Sequence, residues 1–406
     1  MGLHLAGIQA EGAGRHGVKR LGLIVNPLAG IGGRVGLKGS DGADTVRKAL
    51  ALGAVREAPG RAERALERLA RVKDHVEIVT WPGEMGEDEA RAAGFEPTVV
   101  GSLAGRPNLT GASDVVETTA ADTTQAVRDL AASGVEMLLF AGGDGTARDI
   151  CAALDGGPLP VLGIPAGVKI HSAVYATTPS AAGALAAMFL HEKPAAVRLR
   201  ESEVMDIDED AFRDGRVSAS LYGYLAVPYE RSLLQSAKAG GVAGDASSLN
   251  DIASEIVNGM RPGDMYLLGP GTTTRAITEA LGLTGTLLGV DAVLDRALVA
   301  ADAAEHRLLE LLDGRPEGAS RIVITVIGGQ GHIFGRGNQQ FSPAVIRAAG
   351  RENVIVVATQ TKLLSLGGGP LLVDTGDPDL DASFDGYLKV VTALGEMTVY
   401  PVASGG

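Results

Sequence analysis

Short apolar runs alternate with amphipathic segments along most of the chain. Residues 21–26 (LGLIVN) and 135–143 (VEMLLFAGG) are short, nearly continuous hydrophobic stretches, which predicts buried β-strands. Between them, residues 61–72 (RAERALERLARV) place alanine, leucine and valine on one helical face and arginine and glutamate on the other. Since strands alternating with helices are typical of βαβ units, the pattern predicts an α/β fold with parallel sheets.

The length of the chain predicts two domains. Its 406 residues exceed the roughly 250–300 residues at which single hydrophobic cores usually divide. We predict a loose N-terminal tail over residues 1–20, a first α/β domain over 21–195 and a second domain over 196–406. The second domain is expected to open with a short β segment that turns near Asp214 and Gly215, and to continue with parallel βα units.

The composition limits the cellular compartment and the classes of binding partner that we expect. Cys151 is the single cysteine, so no disulfide forms within the chain, and a reducing cytoplasm is expected. The longest membrane-like run, residues 181–190, is about half of what a spanning helix needs, so no membrane association is expected. A net charge of −13 argues against nucleic-acid binding. This charge does not exclude phosphate ligands, which backbone amides can hold. We expect small-molecule partners and a homo-oligomeric protein.

The strongest candidate site is the sequence GGDGT at residues 142–146. Gly142, Gly143 and Gly145 surround Asp144 where a strand passes into a helix, the edge at which open α/β sheets bind ligands. The helix N-terminus favours phosphate, whereas a carboxylate repels it unless Mg²⁺ or a hydroxyl proton lies between them. With Thr146, this combination predicts phosphoryl transfer, with Asp144 beside the attacking hydroxyl as the candidate catalytic residue and holding Mg²⁺ through the phosphates. A tight turn with Asp144 as a helix cap is the alternative.

A glycine-rich loop follows the first strand. Its candidate phosphate-binding residues are Asn26, Pro27, Gly30, Gly32, Gly33 and Lys38. The spacing fits neither G-x-G-x-x-G nor a Walker A sequence. Such a loop offers backbone amides to an anion, and a lysine adds charge. A flexible loop without a function is the alternative.

The two loops together resemble a known family. NPLAG at 26–30 with GGDGT at 142–146, supported by IPAGVKIHSAVYA at 164–176, is similar to the ATP-NAD kinase family. The resemblance is to its bacterial and archaeal branch, which includes the acetoin-catabolism protein X, within the wider NAD kinase and diacylglycerol kinase-like group. It implies a Rossmann-like NAD kinase-type first domain, and Asp144 matches the family's catalytic aspartate.

The resemblance also implies an activity. The expected reaction transfers a phosphoryl group from ATP or polyphosphate to a hydroxyl of NAD, giving NADP. Two alternatives stay open: a kinase of the same mechanism that acts on another small hydroxylated metabolite, and a non-catalytic nucleotide sensor.

A third loop, after the strand near residues 159–165, carries further candidates. Lys169 is predicted to contact a phosphate, and His171 and Ser172 are candidate substrate contacts, because all three follow the carboxyl end of a strand. For His171, a hydrogen-bonded structural role is the alternative.

The second half contains another glycine loop before a helix. Gly269 and Gly271, followed by Thr272, Thr273 and Thr274, predict a second phosphate cradle that binds the acceptor. The βα spacing from 264 to 367 differs from the β-sandwich usual in the second half of NAD kinases. It looks more like the sugar-phosphate isomerase group, which adds Gly329 and His332 as candidate substrate contacts.

One further pair lies on an amphipathic helix over residues 246–260. Asn250 and Asp251 are a candidate counterpart of the Asn-Glu pair with which NAD kinases hold the dinucleotide. A surface helix without a ligand is the alternative.

Overall fold

The structure is a computed structural model, and it describes residues 18–37, 43–102, 118–168, 170–192, 197–207, 219–230, 233–234, 246–327 and 329–404. The elements of the first half are β1 (Lys19–Val25), α1 (Ala43–Ala51), α2 (Glu57–Leu69), β2 (Val76–Thr80), α3 (Glu87–Ala92), β3 (Thr98–Val99), α4 (Ala120–Ala132), β4 (Met137–Gly142), α5 (Asp144–Leu154), β5 (Val161–Pro165), α6 (Pro179–Ala187), β6 (Arg198–Ile207) and β7 (Ala219–Tyr229).

The second half contains the second sheet and its helices. Its elements are α7 (Ala246–Gly259), β8 (Met265–Leu268), α8 (Thr272–Ala280), β9 (Asp291–Leu294), β10 (Ala297–Ala300), α9 (Glu305–Leu312), β11 (Ser320–Thr325), β12 (His332–Phe334), α10 (Pro343–Ala349), β13 (Val354–Val357), α11 (Gln360–Leu364), β14 (Leu371–Val373), α12 (Pro378–Ser383), β15 (Gly386–Ala393) and β16 (Glu396–Ser404).

The first sheet is parallel throughout. Its strand order is β3-β2-β1-β4-β5, and every neighbouring pair is parallel. All six residues of β4 are buried, because helices α2, α4, α5 and α6 pack around the sheet. The predicted Rossmann-like α/β fold of the first domain is confirmed.

The hairpin of β6 and β7 packs on the first domain. Val204, Leu225 and Val227 are buried in the same core as β4 and α5. The predicted limit between residues 195 and 196 assigns this hairpin to the second domain although it packs on the core of the first, and the limit itself stays a prediction. Leu225 and Val227 alternate with more exposed residues along β7, so one face of the hairpin lies in the core of the first domain. The turn at Asp214 and Gly215 lies outside the described residues.

The second sheet is mixed and has nine strands in the order β10-β9-β8-β11-β13-β15-β16-β14-β12. Its centre, β8, β11 and β13, is parallel. Ile322 and Val323 point to opposite faces, one towards α9 and α10 and the other towards α7 and α8. Residues 264–367 thus form an α/β unit, as predicted. The three antiparallel pairs β8–β9, β9–β10 and β15–β16 were not predicted.

A buried ion cluster joins the two halves. Arg61 on α2 contacts Asp374, which follows β14, at 2.5 Å, with the two side chains 5% and 3% exposed. Arg336 lies 3.4 Å from the same carboxylate. Burial alone would raise the pKa of Asp374, but the two arginines outweigh burial and lower that pKa. The contact holds the second half against the first.

Candidate active site

The GGDGT turn connects β4 to α5. β4 ends at Gly142, Gly143 is the N-cap in an extended conformation, and Asp144 is the first residue of α5. A Cβ on Gly142 would lie 2.5 Å from the Cβ of Thr146, and one on Gly143 would lie 3.1 Å from the Cα of Gly167. The first two glycines are therefore required by close packing rather than by a positive φ.

The carboxylate of Asp144 is bound by the third loop. Its two oxygens accept the backbone N–H groups of His171, at 2.8 Å, and Ser172, at 3.1 Å. The imidazole Nδ1 of His171 lies 3.5 Å from the carboxylate, and Asp144 is 9% exposed. Because these amides belong to another loop, Asp144 does not serve as a cap of α5. The helix N-terminus, which includes Gly145, also stabilises the negative charge.

The loop after β1 is tied to the same turn. The side-chain amide of Asn26 donates to the hydroxyl of Thr146 at 3.0 Å, and its carbonyl oxygen accepts the N–H of Leu28 at 3.2 Å. Gly30 has a φ of +78°, and a Cβ there would lie 2.1 Å from the carbonyl oxygen of Ala166. The structure thus brings together all three predicted loops of the first domain.

Much of the loop after β1 is packed inside the protein. Residues 27–33 are buried, and Pro27 and Gly32 lie within this stretch. The amides of residues 29, 31, 33, 36 and 37 donate to carbonyls of the loop itself. Gly33 faces the side chain of Gln339 from the second half. Both Lys38 and Lys169 lie outside the described residues, so their roles stay predictions.

Tyr175 is a buried site residue that the sequence analysis missed. Its hydroxyl donates to the carbonyl of Gly143 at 2.6 Å. Burial, reinforced by the charge of Asp144, raises the pKa of Tyr175 well above its usual value. The phenol therefore stays protonated and supports the turn as a hydrogen-bond donor. No local motif marks it, since its role depends on a bridge to Gly163 of β5 and a ring contact with Phe140 of β4.

The glycine loop of the second domain lies at the carboxyl ends of three parallel strands. Gly269 follows β8, and Gly271, with a φ of +130°, is the N-cap of α8. An L-residue would be strained there. The hydroxyl of Thr274 donates to the carbonyl of Gly271 at 3.0 Å, and Thr273 is buried. Of the three threonines, only Thr272 has an exposed side chain.

A lysine adds positive charge to this loop. Lys362 of α11 donates from Nζ to the hydroxyls of Thr273, at 2.8 Å, and Thr325, at 3.2 Å. The sequence analysis did not select Lys362. The same rule that selected the loops, polar residues after adjacent parallel strands, applies to the unit β13–α11 and would have found it.

His332 is buried between the two halves rather than at an open surface. It is 1% exposed, and burial together with the charge of Arg336 lowers its pKa to about 3. The imidazole is thus neutral at physiological pH and brings no charge to a phosphate. Gly329 lies in the turn before it, with a φ of +78°.

Asn250 and Asp251 lie on α7. Both side chains are exposed, while Ile252 and Ile256 of the same helix pack on the second sheet. The described contacts do not bring this pair to Asp144.

The side chains around Asp144 fit a metal ion held largely by substrate. Among the residues that the structure describes, no group of three or more His, Cys, Asp or Glu side chains could hold a metal ion. Mg²⁺ commonly binds through one or two carboxylates together with substrate phosphates and water. Asp144 supplies one such carboxylate, beside a helix N-terminus suited to phosphate.

Comparison with protein families defines the class. Residues 21–193 match the ATP-NAD kinase N-terminal domain, and residues 263–402 match the ATP-NAD kinase C-terminal domain. The chain belongs to the ATP-NAD kinase family, so it is a kinase-type protein with small-molecule nucleotide substrates. Comparison with curated proteins and with solved structures found no match. Over the described ranges, no helix has the length and apolar character needed to cross a membrane.

Proposed function

We propose that the protein transfers a phosphoryl group from ATP or polyphosphate to a hydroxyl of NAD, giving NADP. Family membership supports a kinase that acts on an NAD-like substrate. The observation that supports this proposal is the position of Asp144. Its carboxylate lies at a helix N-terminus and accepts two backbone N–H groups of the third loop. A buried carboxylate beside a phosphate-binding helix end has a clear use in phosphoryl transfer and little use in simple binding.

The roles follow from chemistry. We assign the donor phosphates to the turn that begins at Gly142, where α5 directs its N–H groups. The loop that begins at Asn26 has most of its amides bonded internally, and it supports this turn through the bond from Asn26 to Thr146. Asp144 orients the attacking hydroxyl and takes up its proton. Asp144 and the substrate phosphates would hold Mg²⁺, which would supply charge neutralisation.

We assign a phosphate of the acceptor to the second-domain loop at residues 271–274. Backbone amides of the α8 N-terminus and the ammonium group of Lys362 supply the positive potential. Because the hydroxyls of Thr273 and Thr274 already bond within the protein, they act by placing Lys362 and Gly271.

A second candidate is a kinase of the same mechanism whose acceptor is another small phosphorylated metabolite. The second-domain loop favours it, since amides and a lysine recognise a phosphate without selecting a dinucleotide. The resemblance to sugar-phosphate isomerases points the same way and stays a prediction, as do the homo-oligomer and the cytoplasmic location.

The test is an acceptor panel. The purified full chain is incubated with Mg²⁺, with ATP or polyphosphate, and with NAD or other hydroxylated phosphate compounds. NADP formation that requires Mg²⁺ is the expected result. Transfer to another acceptor alone would favour the second candidate, and nucleotide binding without any turnover would identify a sensor.

A further inference from the structure

One turn of the second domain reaches the loop that holds Asp144. The side-chain amide of Gln330, which is 7% exposed, donates to the carbonyl oxygen of Ile170 at 3.0 Å. The N–H of the next residue, His171, donates to Asp144 at 2.8 Å. The C=O of Ile170 and the N–H of His171 belong to one peptide group.

A peptide group is planar and trans, so its C=O and N–H point in opposite directions as one rigid unit. A donor that fixes the carbonyl therefore also fixes the direction of the N–H. Gln330 bonds to one side of this unit and the carboxylate of Asp144 bonds to the other.

The turn that carries Gln330 is itself firmly held. Gly329 and Gly331 have φ values of +78° and +81°, and the N–H of Gly329 donates to the hydroxyl of Ser365 at 3.0 Å. The N–H groups of Gln330 and Gly331 both donate to the carbonyl of Ile327. These bonds fix the backbone position from which the Gln330 side chain extends.

We propose that Gln330 is a positioning residue for Asp144, acting across the domain interface through the peptide group of residues 170 and 171. The second domain then sets the orientation of the catalytic carboxylate in addition to binding the acceptor. The expected effect on kcat rests on the proposed function. The expected effect on the position of Asp144 does not, because it can be measured without a substrate.

The test compares two glutamines of the same interface. Gln330→Met keeps the size of the side chain but removes its donor. Gln339→Met is the matched control, because Gln339 also donates to a first-domain carbonyl, that of Val168, at 3.0 Å. Val168 keeps a second donor in the N–H of Gly337, and its carbonyl is not part of the peptide group whose N–H donates to Asp144.

Hydrogen exchange of the full chain, followed by mass spectrometry, is measured without substrate. In Gln330→Met we expect the amides of His171 and Ser172 to exchange about 10-fold faster, since loss of one buried hydrogen bond has an effect of that order. Peptides from β4 should keep the wild-type rate. Gln330→Asn, which shortens the side chain, should give a smaller change in the same direction and serves if Gln330→Met does not fold.

Kinetics supply the second measurement. The kcat of Gln330→Met should fall by about 10-fold, with KM for donor and acceptor within about 2-fold, and Gln339→Met should change kcat less. Unchanged exchange at His171 and Ser172, or an equal loss of kcat in both variants, would overturn the inference. If the wild type does not phosphorylate NAD, the proposed function fails while the exchange result still decides the positioning role.

Discussion

The substitution Asp144→Asn tests the centre of the proposed site. The carboxylate accepts two N–H groups, at 2.8 and 3.1 Å. An asparagine can accept one of them, but its NH₂ group would face the other. One unsatisfied buried N–H costs about 1–3 kcal/mol, and the lost charge at the N-terminus of α5 adds about 0.3–1 kcal/mol.

The substitution therefore has two separate effects. Stability should fall by roughly 1–4 kcal/mol, which lowers the Tm by about 2–4 °C for each kcal/mol in a domain of this size. The kcat should fall about 10²- to 10⁴-fold at temperatures where the variant is folded, because the charge that orients the hydroxyl is lost. Circular dichroism on heating measures the first effect, and initial rates of phosphoryl transfer at 25 °C measure the second.

Asp122→Asn is the matched control. Its carboxylate accepts the N–H and the hydroxyl of Thr119, at 2.7 and 2.8 Å, at the N-terminus of α4, and it is 6% exposed. We expect a smaller loss of Tm, because both donors bond to one oxygen that the amide oxygen of asparagine can replace, and a kcat close to that of the wild type. Near wild-type kcat in folded Asp144→Asn, or an equal loss of kcat in Asp122→Asn, would refute the catalytic role.

Three further predictions concern the second domain, the interface and pH. Thr273→Val removes a partner of Lys362 and should raise KM for the acceptor about 2- to 12-fold with KM for ATP unchanged; a rise confined to ATP would place the donor in the second domain instead. Arg61→Met breaks the buried pair with Asp374 and should cost about 3 kcal/mol in thermal unfolding, so an unchanged Tm would contradict a stabilising pair. Glu89 is buried beside other acids, which raises its pKa to about 8, so wild-type stability should fall as pH rises from about 4.3 to about 8. In Glu89→Gln this decline should be absent from a series of Tm values; the same decline in that variant would show that another group causes it.

The elements and the first-domain site followed largely from local sequence. An apolar run such as residues 135–143 indicates a strand that is buried on both faces, and a glycine at the end of the run indicates a turn. Because the carboxyl ends of adjacent parallel strands meet, the contact between the loops of Asn26 and Thr146 could be predicted without coordinates.

Other features were decided by tertiary structure alone. The ion pair of Arg61 and Asp374 joins residues 313 positions apart, and nothing local marks either side chain. The alternation along β7 indicates that the strand has an apolar face, but it does not show which domain covers that face. Likewise, the sequence placed His171 near the ligand edge without showing that its amide binds Asp144 and that Gln330 holds the other side of its peptide group. Local patterns encode which groups are buried, whereas the pairing of buried polar groups depends on which surfaces meet once both domains have packed.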